Sequence, residues 1–90
     1  MSIIVAGWLS IKPGARNEFI QASCEAILQA RNHTACSDFS VSPDPLDDNR
    51  INIFENWETR EALETFRASG PEHDLFSLVT QFSVSEYEVI

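Results

Sequence analysis

The chain has 90 residues, of which 43% are hydrophobic and 22% are charged, and its formal net charge is −8. This length and composition are typical of one globular domain, which we assign to residues 1–90. The negative charge argues against a nucleic acid or an anionic membrane as a partner, because both would repel the chain. The six Lys and Arg residues are scattered and form no basic stripe.

Three further patterns narrow the class of protein. No hydrophobic run reaches the roughly 20 residues that span a bilayer. The start "MSIIVAGWLSI" lacks the basic region and cleavage site of a signal peptide, so we expect a cytoplasmic protein. Cys24 and Cys36 form no CxxC pair and are expected to be reduced thiols. His33 and Cys36 lack the further ligands of a structural zinc site, so no metal is expected.

The first predicted element is a strand over Ile3–Lys12, which Pro13 and Gly14 end. Its alternate residues divide into two faces, and both faces carry apolar side chains. The faces are Ile3, Val5, Gly7, Leu9 and Ile11, and Ile4, Ala6, Trp8, Ser10 and Lys12. Both sides of the sheet are therefore expected to be at least partly covered at this strand.

From Ala15 to about Asn32 the apolar spacing becomes helical. One row is predicted to face the sheet, and a second row is predicted to widen this apolar stripe. The rows are Phe19, Ser23, Ile27 and Ala30, and Ile20, Cys24 and Leu28. Cys24 is thus expected as a small core residue, whereas His33 lies in the connector "NHTA" and is expected in solvent.

Two strands follow, "CSDFSVSP" and Arg50–Trp57, and the turn-rich loop between them predicts an antiparallel hairpin. Thr59 is predicted to N-cap a second helix. Pro71 is predicted to begin a further short helix, "PEHDLFSLVT". The segment "FSVSEYEVI", from Phe82, is predicted as the fourth strand. One face of the third strand is expected to carry Ile51, Ile53, Glu55 and Trp57.

The order β-α-β-β-α-β predicts a ferredoxin-like α+β domain, with the second helical region split and the helices on one face of a four-stranded sheet. The other face would carry Ile4, Trp8, and Phe39 or Phe54. This is more exposed apolar surface than a monomer normally carries. We therefore expect a homodimer in which the two helix-free faces pack together.

Four segments, in this order, resemble the antibiotic biosynthesis monooxygenase family: "IKPG" before a helix with "EF", "ACSDFSVSPDP", "IFENWETREALETF" and "SGPEHDLF". Together they span nearly the whole chain. The resemblance implies a dimeric α+β barrel similar to quinol monooxygenases, with a pocket in each subunit between the sheet and the helices. It implies a cofactor-independent monooxygenase that acts on a small quinol or a polyketide-like aromatic substrate.

The resemblance also implies pocket positions, and this chain departs from two of them. In the oxygenase branch the marks are an Asn on the first strand, an Asn four residues before a Trp, and the Trp itself. Trp57 matches, but Gly7 and Ile53 stand at the two Asn positions. Asn52 and Asn56 have the opposite strand parity and should point to the other face. The departure argues against haem degradation, which the same scaffold also supports.

The residues expected to line the pocket are mostly apolar, with one carboxylate. They are Trp57, Phe66, Ile53, Gly7, Glu55 and Phe76. Trp57 either forms a pocket wall or is a core residue whose indole N–H donates to a backbone carbonyl. Glu55 is expected to pair with an arginine such as Arg60 or Arg67.

His73 is the candidate catalytic residue, because a histidine that titrates near neutral pH suits proton transfer. Its acidic neighbours, Glu72 and Asp74, favour the alternative of a solvated surface histidine. Two other functions stay open on the same scaffold: a non-catalytic, dimeric ligand-binding or accessory protein, and an isomerase or cyclase with one acid/base residue. Polar groups that converge in the pocket would favour catalysis, and a wholly apolar pocket would favour binding.

Overall fold

The computed structural model describes residues 1–68 and 75–90. In these two ranges the chain alternates strands and helices in the predicted order. The elements are β1 (Ser2–Ile11), α1 (Arg16–Arg31), β2 (Cys36–Pro43), β3 (Arg50–Trp57), α2 (Arg60–Ala68), a 3₁₀ helix (Leu75–Leu78) and β4 (Val79–Val89).

The four strands form one antiparallel sheet in the order β2-β3-β1-β4. β1 is central, and its Val5 pairs with Glu55 of β3 on one side and with Glu86 of β4 on the other. α1 connects β1 to β2, α2 leads from β3 towards β4, and both helices cover the same face. This is the predicted ferredoxin-like βαββαβ arrangement, and the prediction is confirmed.

Local hydrogen bonds explain where the helices begin. The Ala15 N–H donates to the Lys12 carbonyl at 3.0 Å, which closes the turn that contains Pro13 and Gly14 before α1 begins. At α2 the Ala62 N–H donates to the Thr59 hydroxyl at 3.1 Å. Thr59 is therefore the N-cap that the sequence predicts, because its side chain satisfies a backbone donor of the first turn.

The segment before β4 differs from its prediction. Residues 71–74 lie outside the described part of the chain, and Leu75–Leu78 forms a single 3₁₀ turn. β4 begins at Val79, three residues earlier than the predicted start at Phe82. The Lys12 N–H donates to the Leu78 carbonyl at 2.9 Å, and Val79 pairs with Ile11. Pairing with β1 thus overrides the helical spacing, and β-branched Val79 suits a strand.

Two clusters of buried side chains lie between the sheet and the helices. The Trp57 cluster consists of Ile3, Val5, Ala30, Phe39, Trp57, Ala62 and Leu63. The Ile11 cluster consists of Ile11, Phe19 and Ile51. Leu63 of α2 covers the first cluster and Phe19 of α1 covers the second, and the centres of both clusters are 0–1% exposed. The two clusters occupy opposite ends of β1.

Two of the three residues in the second apolar row of α1 are exposed, contrary to the prediction, whereas Ile20 is half-buried against the Ile11 cluster. Leu28 is 64% exposed and Cys24 is also exposed. The reason is the sheet order: α1 packs on β2, which is an edge strand, so this row overhangs the edge. An open groove of about 380 Å³ runs along it, lined by Ile20, Cys24, Ile27, Leu28, Arg31, Val41 and Ser42.

The helix-free face of the sheet carries a band of apolar side chains. Ile4 and Trp8 of β1 are half-buried, Phe54 of β3 is 37% exposed and Tyr87 of β4 is 54% exposed. Phe39 is absent from this band, because it is buried in the Trp57 cluster on the other face. The choice that the sequence left open between Phe39 and Phe54 is thus resolved in favour of Phe54.

Candidate functional site

β3 forms the floor of the candidate site. Ile51, Ile53, Glu55 and Trp57 alternate onto the helix-covered face as predicted, and across the sheet they oppose Leu9, Gly7, Val5 and Ile3 of β1. The Glu58 N–H donates to the Ala35 carbonyl at 2.8 Å and fixes the end of β3 beside the start of β2. This bond therefore fixes the position of Trp57, the last residue of β3, beneath α2.

Trp57 is 0% exposed and lies among three other rings. Its ring centre is 5.1 Å from that of Phe66 in α2, 6.4 Å from that of Phe39 in β2 and 5.7 Å from that of His33. Phe39 and His33 meet the indole edge-on, the arrangement that the aromatic quadrupole favours. The indole is thus held on several sides, and Trp57 is a core residue.

The indole N–H of Trp57 donates to Glu55 Oε1 at 2.9 Å, and not to a backbone carbonyl as the core alternative supposed. Burial raises the pKa of the Glu55 carboxyl, since an ionised group is poorly solvated beneath the helices. The Trp57 hydrogen bond and the charge of Arg67 lower this pKa again, and the charge of Glu86 raises it. Glu55 is a half-buried acid whose ionisation depends on its neighbours.

The expected ion pair between Glu55 and an arginine is not found among the described residues. Arg60 Nη1 lies 2.8 Å from Glu86 Oε1, and Arg67 Nη1 lies 3.1 Å from Glu86 Oε2. Glu86 lies on the edge strand β4, whereas Glu55 lies two strands away on β3, on the other side of β1. These hydrogen bonds depress the pKa of Glu86.

Gly7 is required by the backbone. Its φ is +156°, and a Cβ at this position would lie 1.9 Å from the Ser83 carbonyl oxygen of β4. An asparagine at position 7 would force β1 and β4 apart. The departure from the oxygenase pattern at this position therefore follows from how closely the two strands approach, and it leaves the floor between Ile53 and Val84 without a side chain.

The other predicted pocket residues lie in two places. Phe66 is half-buried against Trp57, and Ile53 packs against the Ile11 cluster. Phe76 is 64% exposed in the 3₁₀ helix and meets Phe82 at 5.6 Å between ring centres. The structure thus brings Trp57, Phe66 and Glu55 together, whereas Phe76 belongs to a separate aromatic pair. His73 lies outside the described residues.

Two predictions about single residues are wrong. Cys24 is exposed, because its row of α1 overhangs β2. His33 is half-buried against Trp57, and its Nδ1 accepts the Ala35 N–H at 3.2 Å. The strand register explains the position of His33. Cys36 pairs with Trp57, and this pairing brings the connector before β2 over the indole. Sequence reasoning also missed Glu86, which alternates onto the face that binds the α2 arginines.

Within the described ranges, no group of three or more His, Cys, Asp or Glu side chains could hold a metal ion. In the same ranges, the helices are too short or too polar to cross a membrane.

Comparison with known proteins identifies a family. The model of the antibiotic biosynthesis monooxygenase family matches residues 2–77. An uncharacterised protein of Synechocystis is 37% identical over 62 residues, which is 69% of this chain. The chain spans only 42% of the length of that relative.

Solved structures share the fold. A "putative antibiotic biosynthesis monooxygenase" of Nitrosomonas europaea superposes with a TM-score of 0.83 at 14% identity, over 99% of this chain and 90% of that one. A protein of Deinococcus radiodurans with the same description gives 0.80 at 24% identity, over 97% and 91%. A Bacteroides thetaiotaomicron protein of unknown function, described as a possible oxidoreductase, gives 0.78 at 14% identity, over 98% and 97%. Identities this low support the shared fold alone.

Proposed function

This chain belongs to the antibiotic biosynthesis monooxygenase family, and on that premise we propose that it is a cofactor-independent monooxygenase for a small, electron-rich aromatic substrate such as a quinol or a polyketide-like phenol. The observation that carries the proposal is the half-buried hydrogen bond from Trp57 to Glu55. It places one ionisable group beside the aromatic side chains of the Trp57 cluster, in a region that α2 covers. Such a combination of mostly apolar lining and one polar group is typical of small-molecule sites.

The reaction needs little from the protein beyond a dry cavity and a proton acceptor. Loss of a hydroxyl proton makes a quinol electron-rich, and the anion passes one electron to dioxygen. The resulting superoxide and substrate radical combine through a new C–O bond, and loss of water leaves a hydroxyquinone. One quinol and one dioxygen thus give one hydroxyquinone and one water, with all four electrons supplied by the substrate. No metal, flavin or haem takes part in this scheme.

The apolar lining and the proton acceptor have separate candidates. Phe66, with Ile53 and the bare floor at Gly7, would hold the substrate ring, because each lies on the helix-covered face. His73 remains the candidate catalytic base that the sequence predicts, and Phe76 remains a predicted pocket residue.

We also propose a cytoplasmic homodimer that pairs the helix-free faces. Ile4, Trp8, Phe54 and Tyr87 form the apolar band that a second copy would cover. Analytical ultracentrifugation tests this, and a stable monomer at micromolar concentration would contradict it.

The function is tested by oxygen uptake with a panel of benzoquinols and naphthoquinols, and mass spectrometry of the product would detect the added oxygen atom. Phe66→Ala should raise KM strongly, because it removes a wall beside Trp57. Leu28→Ala is the matched control: it removes a similar apolar side chain from the exposed row of α1 and should leave KM unchanged. Absence of both uptake and ligand binding across the panel would refute the proposal.

The second candidate function is a ligand-binding or accessory protein without catalysis. Gly7 and Ile53 favour it, since both expected amide positions are apolar here. This candidate predicts tight binding of aromatic ligands under air with no oxygen consumed, so the same panel distinguishes the two functions.

A further inference from the structure

We infer that Glu55 accepts the hydroxyl proton of a neutral phenol at this site, that Trp57 positions it, and that the site rejects ligands with an added anionic group. This inference rests on the proposed function for the redox step that follows, but proton acceptance and ligand charge can be tested without that step. It departs from the sequence-based choice of His73 as the base.

The first support is geometric. Glu55 projects from the centre of β3 onto the helix-covered face, where it opposes Val5 on one side and Phe39 on the other. Trp57 Nε1 donates to Oε1 at 2.9 Å. Within residues 1–68 and 75–90, Oε2 accepts no hydrogen bond. One oxygen is therefore fixed by the indole, and within the described residues the other has no hydrogen-bond partner.

The second support is the fixed position of the donor. Trp57 is 0% exposed and is held by contacts with Phe39, Phe66 and His33. Its N–H cannot turn away from Glu55 without disturbing the cluster. A carboxylate oriented in this way by a buried partner resembles the arrangements that enzymes use to hold an acid or base in place.

The third support is the charge around the carboxyl. Arg67 faces it from α2, Glu86 from β4 and Cys36 from β2. Burial and Glu86 raise the pKa of Glu55, which makes its carboxylate a stronger base. Arg67 is the one cation near Glu55 in the described residues, and it is already bound to Glu86 at 3.1 Å. An anionic ligand would therefore meet uncompensated negative charge, whereas a phenol hydroxyl would form a charge-assisted hydrogen bond.

The chemical step is a single proton transfer. The phenol O–H bond breaks, a new O–H bond forms at Glu55 Oε2, and the electron pair stays on the phenolate oxygen. In the proposed oxygenase reaction, the loss of water from the peroxide intermediate takes up this proton again, and Glu55 returns to its ionised form.

The binding test uses isothermal titration calorimetry under nitrogen, with 2-naphthol as the neutral probe and 6-hydroxy-2-naphthoate as its anionic analogue. The natural protein should bind 2-naphthol at least about tenfold more tightly than the naphthoate. Glu55→Gln should reduce this ratio to about threefold or less, since the glutamine carries no charge. Glu58→Gln makes the same charge change at an exposed position one residue beyond Trp57, and it should leave the ratio unchanged.

The pH dependence gives a second readout. Affinity for 2-naphthol should rise with pH as Glu55 ionises, and Glu55→Gln should abolish this rise. Trp57→Phe keeps a ring in the cluster but removes the N–H, so the rise should move to higher pH, because that hydrogen bond lowers the pKa of Glu55. This variant serves if Glu55→Gln does not fold. If Trp57 had a structural role alone, Trp57→Phe would not shift the midpoint of the rise in affinity with pH.

Four outcomes would overturn the inference: no binding of either probe, equal affinity for both, a pH profile unchanged in Glu55→Gln and Trp57→Phe, or a profile abolished by His73→Ala instead. Its failure and that of the proposed function are distinguishable. Glu55-dependent selection between the probes without oxygen uptake supports the inference and refutes the oxygenase. Oxygen uptake that Glu55→Gln leaves unchanged in kcat/KM and pH profile supports the oxygenase and refutes the inference.

Discussion

The Trp57 cluster and the Ile11 cluster lie at opposite ends of the same helix-covered face, and they differ in the groups that they bury. The Ile11 cluster is built from Ile11, Phe19 and Ile51, none of which has a polar side-chain atom. The Trp57 cluster contains an indole N–H and adjoins the Glu55 carboxyl and the Glu86 ion pairs. Apolar contacts alone build the first cluster, whereas the second end also includes the hydrogen bond between Trp57 and Glu55.

This difference indicates that the Ile11 end supports the fold and that the Trp57 end contains the candidate site. At the Ile11 end, the polar side chains lie outside the buried cluster: Arg16 Nη1 donates to the carbonyls of Asp44 and Asp47 at 3.2 and 2.9 Å, and Asn52 Nδ2 donates to Asp44 Oδ1 at 3.0 Å, so that they hold the β2–β3 loop. At the Trp57 end, polar side chains contact one another beneath α2. Burying an ionisable carboxyl costs free energy that an apolar residue in its place would not cost. The Trp57 end is therefore where we place the proposed function.

The largest effects should come from emptying the two clusters. Trp57→Ala should lower the free energy of unfolding by about 3–5 kcal/mol and Ile51→Ala by about 2–5 kcal/mol, because each leaves a cavity in a fully buried position. Only Trp57→Ala also removes the donor to Glu55. Urea denaturation at several pH values should therefore show a changed pH dependence for Trp57→Ala and an unchanged one for Ile51→Ala. The same change in both variants would mean that the two ends are not distinct.

An intermediate effect is expected at Gly7, which lies between the two ends. Gly7→Ala places a Cβ 1.9 Å from the Ser83 carbonyl oxygen. It should lower the free energy of unfolding by about 3 kcal/mol, because the backbone of β4, and not a flexible side chain, must move to relieve the clash. Gly14→Ala is the matched control: its φ is +81°, but a Cβ there meets nothing within 4 Å. It should cost about 1 kcal/mol from backbone strain alone. Equal losses in thermal denaturation would contradict the close approach of β1 and β4.

The smallest effects concern pH. At the Ile11 end, hydrogen bonds from Asn52 and the loop backbone lower the pKa of Asp44. The folded-state pKa is below the unfolded one, so the stability from Asp44 is present above the unfolded pKa and is lost as pH falls through the folded pKa. Glu86 has the same sign at the Trp57 end. Glu55 has the opposite sign, and its stabilising contribution is lost as pH rises through its raised pKa.

Glu55→Gln should therefore gain stability relative to the natural protein as pH rises from 4 to 8. Asp44→Asn should differ in pH dependence below about pH 4: its stability deficit relative to the natural protein should shrink as pH falls from 4 to 2, because Asp44 of the natural folded protein is then protonated. Chemical denaturation from pH 2 to 8 measures both differences. A difference for Glu55→Gln that does not grow with pH would show that burial does not disfavour the ionised Glu55.

The sequence by itself determined β1, β2 and β3, the positions of α1 and α2, and the faces of β1 and β3. A strand alternates with a period of two residues, so Ile51 and Trp57 had to share a face whatever the neighbours were. The Thr59 cap and the turn at Gly14 are equally local, and the family resemblance rests on the order of such segments. The residues that propensity misassigned, Val79 and Thr80, are those in which pairing with β1 competes with helical spacing.

Only the tertiary structure decided which groups meet. Helical spacing could not reveal that α1 lies on an edge strand, so it gave no reason to expect Cys24 in solvent. The partner of Arg60 and Arg67 is Glu86 on β4, and the fold, not the local spacing along the chain, brings these residues together. Contacts such as His33 with Trp57 join residues far apart along the chain, and local pattern carries no information about such distances.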